Sequence, residues 1–520
     1  MARRASLRKK SAPNPPPAPK PTTKNAAIGR KRKAPAAAAA ASETPARGPK
    51  RQKGQFPNDL IGVDLTELSC LTNGGTASST IFNIVPSKKF DVYACGTNCY
   101  GELGLGNLWR KSEFARPVLN ANLAAETVGV VQLVVGGIHS AALTCDNKIM
   151  TWGVNDDATL GRDTKEDLKD EIMTDAKIEE SESDDDDDDD VTLNMKEATP
   201  LPVDSSLFPK GTVFAQLSAT DSATYALTTD GLVYGWGTFR GINGEIGFAP
   251  HSNFKQLTPL LIPGLKNVTK LAAGAQHMLA LTSAGTVYSW GCNEQYQLGR
   301  RRTSRSRDVH PLIPDQCALP GGVVDIGAGM YHSFAVHKTG AVYGWGSNNF
   351  GQVGIASNAG ENDAIIPYPT RVKSLNKTPK IVQIHGGKDH SIAVDQTGQC
   401  FTWGRIENKA LGYDPEVLSQ DKIIYDSRDR PRISVQPQAI PTLENIVYAT
   451  AGTDHSFAIS ADGNAYSWGF NAQCQAGKPS STDEIILPTL LDGKHIAGKR
   501  LVSASAGGQF SIVLGEHVSE

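Results

Sequence analysis

A module that occurs seven times along the chain constrains the fold more than any other feature. Each copy ends in aromatic-x-Trp-Gly, or a close variant of it, followed by a short turn and an apolar-Gly pair. The glycines that end this signature are Gly96, Gly153, Gly237, Gly291, Gly346, Gly404 and Gly469. Once an acidic insertion is subtracted from the longest interval, the period is about 55 residues, which is typical of a repeat architecture.

Each repeat also has an upstream half, typified by residues 273–281, and its short alternating apolar runs separated by glycine turns predict β-strands. The chain begins with a downstream half at Tyr93 and ends with an upstream half at 506–514. If these two halves share a blade, a ring closes and leaves no exposed sheet edge. We therefore predict an all-β, seven-bladed propeller. An open solenoid has the same periodicity, but the split repeat argues against it.

Charge divides the chain into three parts. Residues 1–53 hold 15 Lys and Arg and one acid, whereas residues 163–198 hold 17 acids and four lysines. The basic segment is rich in proline and lacks aromatic residues, so it cannot bury a core. We predict a disordered basic tail over 1–57, a propeller over 58–520 and an acidic disordered insertion over 163–198.

No apolar stretch approaches the length of a membrane span, and the N-terminus lacks an apolar signal segment. We therefore expect no membrane partner. The eight cysteines show neither CxxC nor His/Cys ligand spacing, which favours free thiols and predicts no metal site and no cofactor.

Two basic clusters in the tail have the layout of a bipartite nuclear import signal, which an import receptor would bind. They are Arg30, Lys31, Arg32 and Lys33, followed by Lys50, Arg51 and Lys53. The rest of the tail could neutralise DNA phosphates, or it could simply aid solubility. The acidic run 184–190 is either a tolerated surface insertion or an internal polyanion that competes with DNA for the tail.

One repeat has a longer turn than the others. In six repeats the signature glycine and the closing glycine are eight positions apart, whereas Gly237 and Gly247 are ten apart. Asn243-Gly244 is a strong hairpin signal, because both residues tolerate positive φ. We expect a projecting hairpin with apolar surface from Phe239, Ile242 and Ile246. Ordinary loop variation is the alternative.

The same repeat departs from the pattern in its upstream half. Five repeats carry a histidine at one fixed position: His139, His277, His332, His390 and His455. A residue repeated in every blade lies at the same radius of the ring, so we expect structural hydrogen bonds from these side chains. Here the position is Ala223, and Thr220 replaces a glycine. Asp221, the one acid two places before this position, would cap a turn or contact a partner.

No phosphate-binding loop, nucleophile elbow or nucleophile–base–orienter set is present, so covalent catalysis is not indicated. The chain resembles the regulator of chromosome condensation family over nearly all of residues 60–515, and its pattern is similar to the fungal members. The resemblance is carried by 159–164, by 236–240 with 243–247, and by 291–300.

This resemblance implies a guanine nucleotide exchange factor for the small GTPase Ran. The implied GTPase-binding wedge comprises Phe239, Arg240, Gly241, Ile242, Asn243, Gly244, Glu245, Ile246 and Phe248. Asp221 and His390 resemble positions important for exchange. Gln276 and Cys99 depart from positions where relatives often carry an acid. An arginine-rich loop resembles the segment that meets the histone acidic patch of nucleosomes: Arg300, Arg301, Arg302, Arg305 and Arg307.

The implied mechanism is linkage. A wedge that binds best when the phosphate loop is displaced must weaken nucleotide binding, so the complex should be tightest with nucleotide-free GTPase. The protein would act in the nucleus, on chromatin. Two other classes remain open: a chromatin-bound adaptor without exchange activity, and a propeller that binds a ligand or substrate in its central channel.

The basic tail generates a test of DNA binding. Because binding by phosphate neutralisation releases counterions, affinity for duplex DNA should fall steeply as salt rises and should vanish when residues 1–53 are deleted. A salt titration of fluorescently labelled DNA measures both. Salt-insensitive binding would contradict the role of the tail.

Overall fold

The computed structural model describes residues 81–108, 111–165, 193–250, 255–300 and 309–518. They form seven antiparallel sheets arranged as a closed propeller, which confirms the predicted fold. We number the blades 1 to 7 by the chain order of their first strands. The first strands of neighbouring blades pack against one another around the axis.

Four strands follow one another in each blade from the axis outward. In order of blade number, the innermost are Val130–Val135, Phe214–Ala219, Val268–Ala273, Val323–Ala328, Ile381–Gly386, Ile446–Ala451 and Leu501–Ala506. The second are His139–Thr144, Ala223–Thr228, His277–Thr282, His332–His337, His390–Asp395, His455–Ser460 and Phe510–Glu516. The third are Ile149–Gly153, Val233–Gly237, Val287–Gly291, Val342–Ser347, Cys400–Arg405, Ala465–Phe470 and Phe90–Thr97. The outermost are Leu201–Pro202, Gln256–Leu261, Asp315–Gln316, Ile365–Arg371, Pro431–Ala439, Glu484–Leu490 and Glu113–Leu119.

Three further strands and several short helices complete the described fold. Ile423–Tyr425 extends blade 5, and Phe239–Gly241 pairs with Gly244–Gly247 as a separate hairpin after the third strand of blade 2. The helix is Met195–Ala198. The 3-10 turns are Gly106–Leu108, Ala121–Leu123, Ser205–Leu207, Lys373–Lys377, Pro415–Val417 and Gln420–Lys422.

Blade 7 combines the two ends of the described chain. The strand Phe90–Thr97 pairs with Phe510–Glu516 over seven residue pairs, as the split repeat predicts. Antiparallel pairing across this blade ties the first strand of the ring to the last one. No sheet edge is left between them.

The predicted boundaries of the acidic insertion were too wide. Thr164 is buried, and its hydroxyl donates to Glu197 Oε1 at 2.8 Å, while Asn194 Nδ2 donates to the Thr164 carbonyl at 3.0 Å. Asn194 also caps the helix Met195–Ala198. These contacts order both ends of the insertion, and residues 166–192, with the acidic run, lie outside the described residues. The basic tail and its import clusters also lie outside them.

A hydrogen-bond relay joins one blade to the next. In blade 2, Thr224 Oγ1 and Trp236 Nε1 both donate to the Thr159 carbonyl, in the turn of blade 1, at 2.8 Å each. A turn carbonyl accepts the same pair from the next blade at three more interfaces, from Ser333 and Trp345 to Gln297, from Ser391 and Trp403 to Gln352, and from Ser456 and Trp468 to Ala410. These tryptophans are fully buried. A buried indole N–H requires an acceptor, so the relay satisfies a donor that water cannot reach.

The repeated histidines complete this relay. His139 Nε2 lies 2.9 Å from Thr224 Oγ1 of the next blade. The other four histidines contact the equivalent serine hydroxyls at 2.7–2.9 Å: His277 with Ser333, His332 with Ser391, His390 with Ser456, and His455 with Ser511. Because each hydroxyl donates its proton to a carbonyl, the imidazole must donate from Nε2. The structural role expected of these side chains is therefore confirmed.

Burial keeps these imidazoles neutral. It lowers the pKa of His139, His277, His332 and His455 to about 3 and that of His390 to about 4. The folded-state values lie below that of an unfolded histidine, so the unfolded chain binds protons first as the pH falls.

We expect the free energy of unfolding to decrease as the pH is lowered from about 6.5 towards 4, by up to about 1.4 kcal/mol per pH unit for each histidine. Urea unfolding at a series of pH values measures this. His332→Gln removes one titrating group but keeps a donor, so its pH dependence should be shallower. Equal slopes for wild type and variant would contradict the assignment.

Candidate functional site

The long turn of blade 2 forms the predicted hairpin. Arg240 pairs with Glu245 and Gly241 with Gly244, so the turn is centred on Ile242 and Asn243. At the tip only Gly244 has a positive φ, of 107°. Asn243, which could also have tolerated this conformation, does not adopt it, because the two central residues of the turn are Ile242 and Asn243.

The base of the hairpin is apolar and buried. Phe239 and Phe248 are 0% and 5% exposed, and their rings stack with centroids 6.2 Å apart. Tyr225 lies 6.0 Å from the Phe248 ring and 5.7 Å from the Trp290 ring of blade 3. The expectation that Phe239 supplies apolar surface was wrong. It anchors the hairpin in the core instead.

This aromatic cluster also replaces the relay at one interface. Trp290 is the first tryptophan after the long turn, and its Nε1 donates to the Tyr225 hydroxyl at 3.4 Å rather than to a turn carbonyl. At the position of the second strand where the other six blades carry Ser or Thr, blade 3 carries Met278, which has no hydroxyl. The interface between blades 2 and 3 therefore depends on ring packing and apolar burial more than on directional hydrogen bonds.

Both neighbouring blades hold the hairpin. The Arg240 backbone N–H donates to Gln276 Oε1 of blade 3 at 2.7 Å, and its guanidinium pairs with Asp157 of blade 1 at 2.9 Å. Gln276 Oε1 also accepts from Ser222 Oγ at 2.9 Å. Farther along, the Ile242 N–H lies 2.9 and 3.1 Å from the two carboxylate oxygens of Glu294.

The tip presents a compact mixed surface. Ile242 is 87% exposed and Ile246 37%, and Asn243 and Glu245 also reach the surface. We call the end of the propeller from which this tip projects the hairpin face. An aliphatic side chain held this far out of the core is suited to a protein partner.

Asp221 lies on the hairpin face, beside the central axis. It lines a cavity of about 390 Å³ formed by the ends of the innermost strands, together with Asp157, Arg240 and Gln276. Its N–H donates to the Ala275 carbonyl of blade 3 at 2.8 Å. Desolvation raises the pKa of the Asp221 carboxyl to about 7. In the sequence, the strands Ala223–Thr228 and Val233–Gly237 separate Asp221 from the projecting hairpin. In space, however, Asp221 lines the same cavity as Arg240 at the base of that hairpin.

The two substitutions that flank Asp221 are one compensated change. In blade 3 a Cβ on Gly274 would lie 2.1 Å from His277 Cε1, so histidine requires glycine at this position. In blade 2 the histidine is replaced by Ala223, so no imidazole ring is present. The Thr220 side chain, which is 1% exposed, occupies the space that the ring would take. Thr220 and Ala223 therefore count as a single departure from the repeat and not as two.

His390 does not reach the surface. It is 1% exposed and contacts Ser456 like its four counterparts. Beside it, the Asp389 carboxylate pairs with Arg405 at 3.3 Å, and burial raises the pKa of Asp389. Any effect of His390 on a partner must be transmitted through neighbours such as these.

Arg300, one of the residues predicted to bind histones, has partners within the protein. Its guanidinium donates to the carbonyls of Ser289 and Ile313, the latter at 2.6 Å, and burial lowers its pKa. Arg162, the equivalent residue in blade 1, donates to the Thr151 carbonyl at 2.8 Å in the same way. This arginine position is structural. The other arginines of the loop, Arg301, Arg302, Arg305 and Arg307, lie outside the described residues.

Sequence reasoning missed two residues of this site, Asp157 and Glu294. Both lie in turns of other blades, far from the long turn in sequence. Glu294 has a counterpart in Glu407 of blade 5, and nothing in either turn indicates that it contacts the hairpin. Within the described ranges, no group of three or more metal-ligating side chains comes together. No described helix is long and apolar enough to cross a membrane.

Comparison with known proteins gives consistent matches. A family model described as an RCC1-like domain matches residues 91–513. Protein pim1 of Schizosaccharomyces pombe is 36% identical over 432 residues, which cover 83% of this chain and 75% of that protein. Guanine nucleotide exchange factor SRM1 of Saccharomyces cerevisiae is 34% identical over 441 residues, with 83% and 89% covered.

Two solved structures match the fold. The structure of Prp20p from Saccharomyces cerevisiae, described with its binding properties to Gsp1p and histones, has a TM-score of 0.74 at 31% identity and covers 84% of this chain and 94% of its own. Yeast RCC1 (Prp20) bound to Kap60 has a TM-score of 0.75 at 30% identity, with 86% and 95% covered.

The compensation around Asp221 can be tested by restoring the repeat. Ala223→His alone should destabilise the protein by about 2 kcal/mol or more, because the ring meets Thr220 and finds no hydroxyl at Met278. Adding Thr220→Gly should recover the part of this loss that the clash causes, as measured by urea unfolding. An equally unstable double variant would contradict the account.

Proposed function

The chain belongs to the family of proteins with an RCC1-like domain, and from that membership we propose that it is a guanine nucleotide exchange factor for a small GTPase of the Ran class. One observation carries the proposal. The blade whose turn is two residues longer than the rest projects an exposed, braced hairpin from the same face as Asp221. A relative that is 34% identical over most of both chains is named as an exchange factor.

The hairpin would act as a wedge. A small GTPase holds its nucleotide through a phosphate-binding loop and Mg²⁺. If the tip, with Ile242 and Ile246, binds best when that loop is displaced, nucleotide and exchange factor weaken each other's binding by the same factor. The most stable complex is then nucleotide-free, and entering nucleotide dissolves it. No covalent bond changes.

The base of the hairpin suits this role. The aromatic rings of Phe239 and Phe248 seat it in the core, and Arg240 is bonded to blades 1 and 3. A wedge that is ordered before binding loses little conformational freedom on contact, which favours affinity for the displaced state. Asp221 would add a carboxylate beside the wedge, for a cationic or hydrogen-bonding group of the GTPase.

The proposal extends to location. We propose that the protein acts in the nucleus on chromatin, with an import receptor binding the basic clusters of the tail and with the tail and the arginine-rich loop contacting DNA and the histone acidic patch. The relatives support this direction, since Prp20p is described with histone binding and yeast RCC1 with bound Kap60.

Release of labelled GDP from Ran tests the wedge. Ile242→Ser should lower kcat/KM about tenfold or more, because it removes an exposed contact without disturbing the core. Ile486→Ser changes an isoleucine that is 48% exposed on the outer strand of blade 6 and should leave exchange unchanged. Removal of Gly241–Glu245 should abolish stimulation. No stimulation by the wild type would refute the function and favour an adaptor.

Asp221 and His390 need separate tests. Because the Asp221 pKa is near 7, activity that depends on its carboxylate should rise between pH 6 and pH 8, and Asp221→Asn should flatten the profile. His390→Ala should be compared with His332→Ala, which breaks the equivalent bond in blade 4. If His390 has a specific role, His390→Ala should lose more exchange activity than His332→Ala when the two variants are equally stable. Equal losses of activity would remove His390 from the site.

A further inference from the structure

The hairpin has an edge that its own pairing leaves unsatisfied. Its strands contain three and four residues, and an isolated hairpin of this size is unstable in water. The backbone N–H groups of Arg240 and Ile242 point away from the partner strand and towards blade 3. Gln276 accepts the first of them near the base. The second lies next to the tip, and its acceptor within the described part of the chain is the Glu294 carboxylate.

Glu294 comes from a well-defined turn of blade 3. The turn follows Gly291 and is closed by side chains, since Gln297 Oε1 accepts from the Gln295 N–H at 2.8 Å and Asn293 Oδ1 from the Leu298 N–H at 3.1 Å. From this turn the Glu294 carboxylate reaches the Ile242 N–H with both oxygens, at 2.9 and 3.1 Å. A charged acceptor makes a stronger bond than a neutral one, although the exposure of Glu294 moderates it.

Gly241 fits the same contact. Its φ is not positive, so its backbone conformation is open to any residue. However, a Cβ on Gly241 would lie 2.7 Å from Glu294 Oε1. A side chain at this position would therefore displace the exposed Glu294 carboxylate from its contact, whereas the turn itself places no such demand. Two residues from different blades are thus matched to each other.

From this geometry we propose that Glu294 is a positioning residue for nucleotide exchange, which latches the hairpin tip to blade 3 so that Ile242 is held ready before the GTPase arrives. Loss of the latch leaves the base anchored and lets the tip open. A GTPase must then bind the fraction of molecules in which the tip is closed, which raises the apparent KM. The kinetic part of this inference rests on the proposed exchange function, whereas the latch itself does not.

Hydrogen exchange of the hairpin amides in the free protein tests the latch without a GTPase. Glu294→Ala should speed exchange at the Ile242 amide about tenfold, and Glu294→Gln, which keeps an acceptor oxygen, should restore most of the protection. Glu407→Ala is a matched control, because Glu407 occupies the same position of the blade 5 turn and pairs with Arg405. Unchanged protection in Glu294→Ala would overturn the latch.

A double-mutant cycle tests the effect on exchange. Glu294→Ala should raise KM for GDP release from Ran a few-fold while kcat stays within about twofold. Gly241→Ala should raise KM in the parent protein but add little in the Glu294→Ala background, because the clash is gone. Faster amide exchange with unchanged KM, or additive effects in the cycle, would overturn the positioning role. Absence of any stimulation by the parent protein would instead refute the proposed function and leave the amide result standing.

Discussion

The ring depends on one backbone carbonyl that the turns of six blades present to the following blade. At four interfaces that carbonyl receives both the tryptophan N–H and the hydroxyl of the following blade, and at five the hydroxyl is contacted by a buried histidine. Because the indole N–H is buried, the turn that supplies its acceptor must return to the same point in each of these blades. This requirement explains why six turns have the same eight-residue spacing, and why the closing glycine packs directly on the next tryptophan ring: a Cβ on Gly299 would lie 2.5 Å from Trp345 Nε1.

Blade 2 can carry a longer turn because the next blade does not need its carbonyl. Trp290 has the Tyr225 hydroxyl instead, and Met278 has no hydroxyl proton to place. Ala223 has no imidazole to offer either, and Thr220 fills the volume that the ring would take. These substitutions belong together physically, because each would leave an unsatisfied group or a cavity without the others. At another interface, between blades 7 and 1, Phe510 replaces histidine and the buried Ser140 hydroxyl has no partner in the described structure. There the change is not compensated, and no hairpin is present among the described residues.

The sequence predicted the features that recur in every repeat and those that depend on residues close together in the chain. The number of blades, the shared blade 7, the structural histidines and the hairpin itself follow from periodicity and spacing within the chain. The turn centre at Ile242, the burial of Phe239 and the carbonyl contacts of Arg300 did not follow, because each is decided by an atom of another strand or blade. The repeat that revealed Thr220 and Ala223 as departures could not show that they fill one volume. Glu294 occupies an ordinary turn position and is distinguished only by the hairpin that lies opposite it.

The wedge that we propose needs a support that does not yield when a partner binds, and the break in the relay provides one. In the other blades, directional hydrogen bonds hold the turn close to the propeller. In blade 2 the packed aromatic side chains of Tyr225, Phe239 and Phe248 let the backbone continue outward and still exclude water at the hairpin base. Contacts from Asp157, Gln276 and Glu294 then supply, from two neighbouring blades, the restraint that the lost relay no longer gives. The hairpin is therefore ordered by three blades at once. A partner that binds to the tip would be opposed by the ring and not by one flexible loop, so its binding energy is available to displace the partner's own phosphate-binding loop.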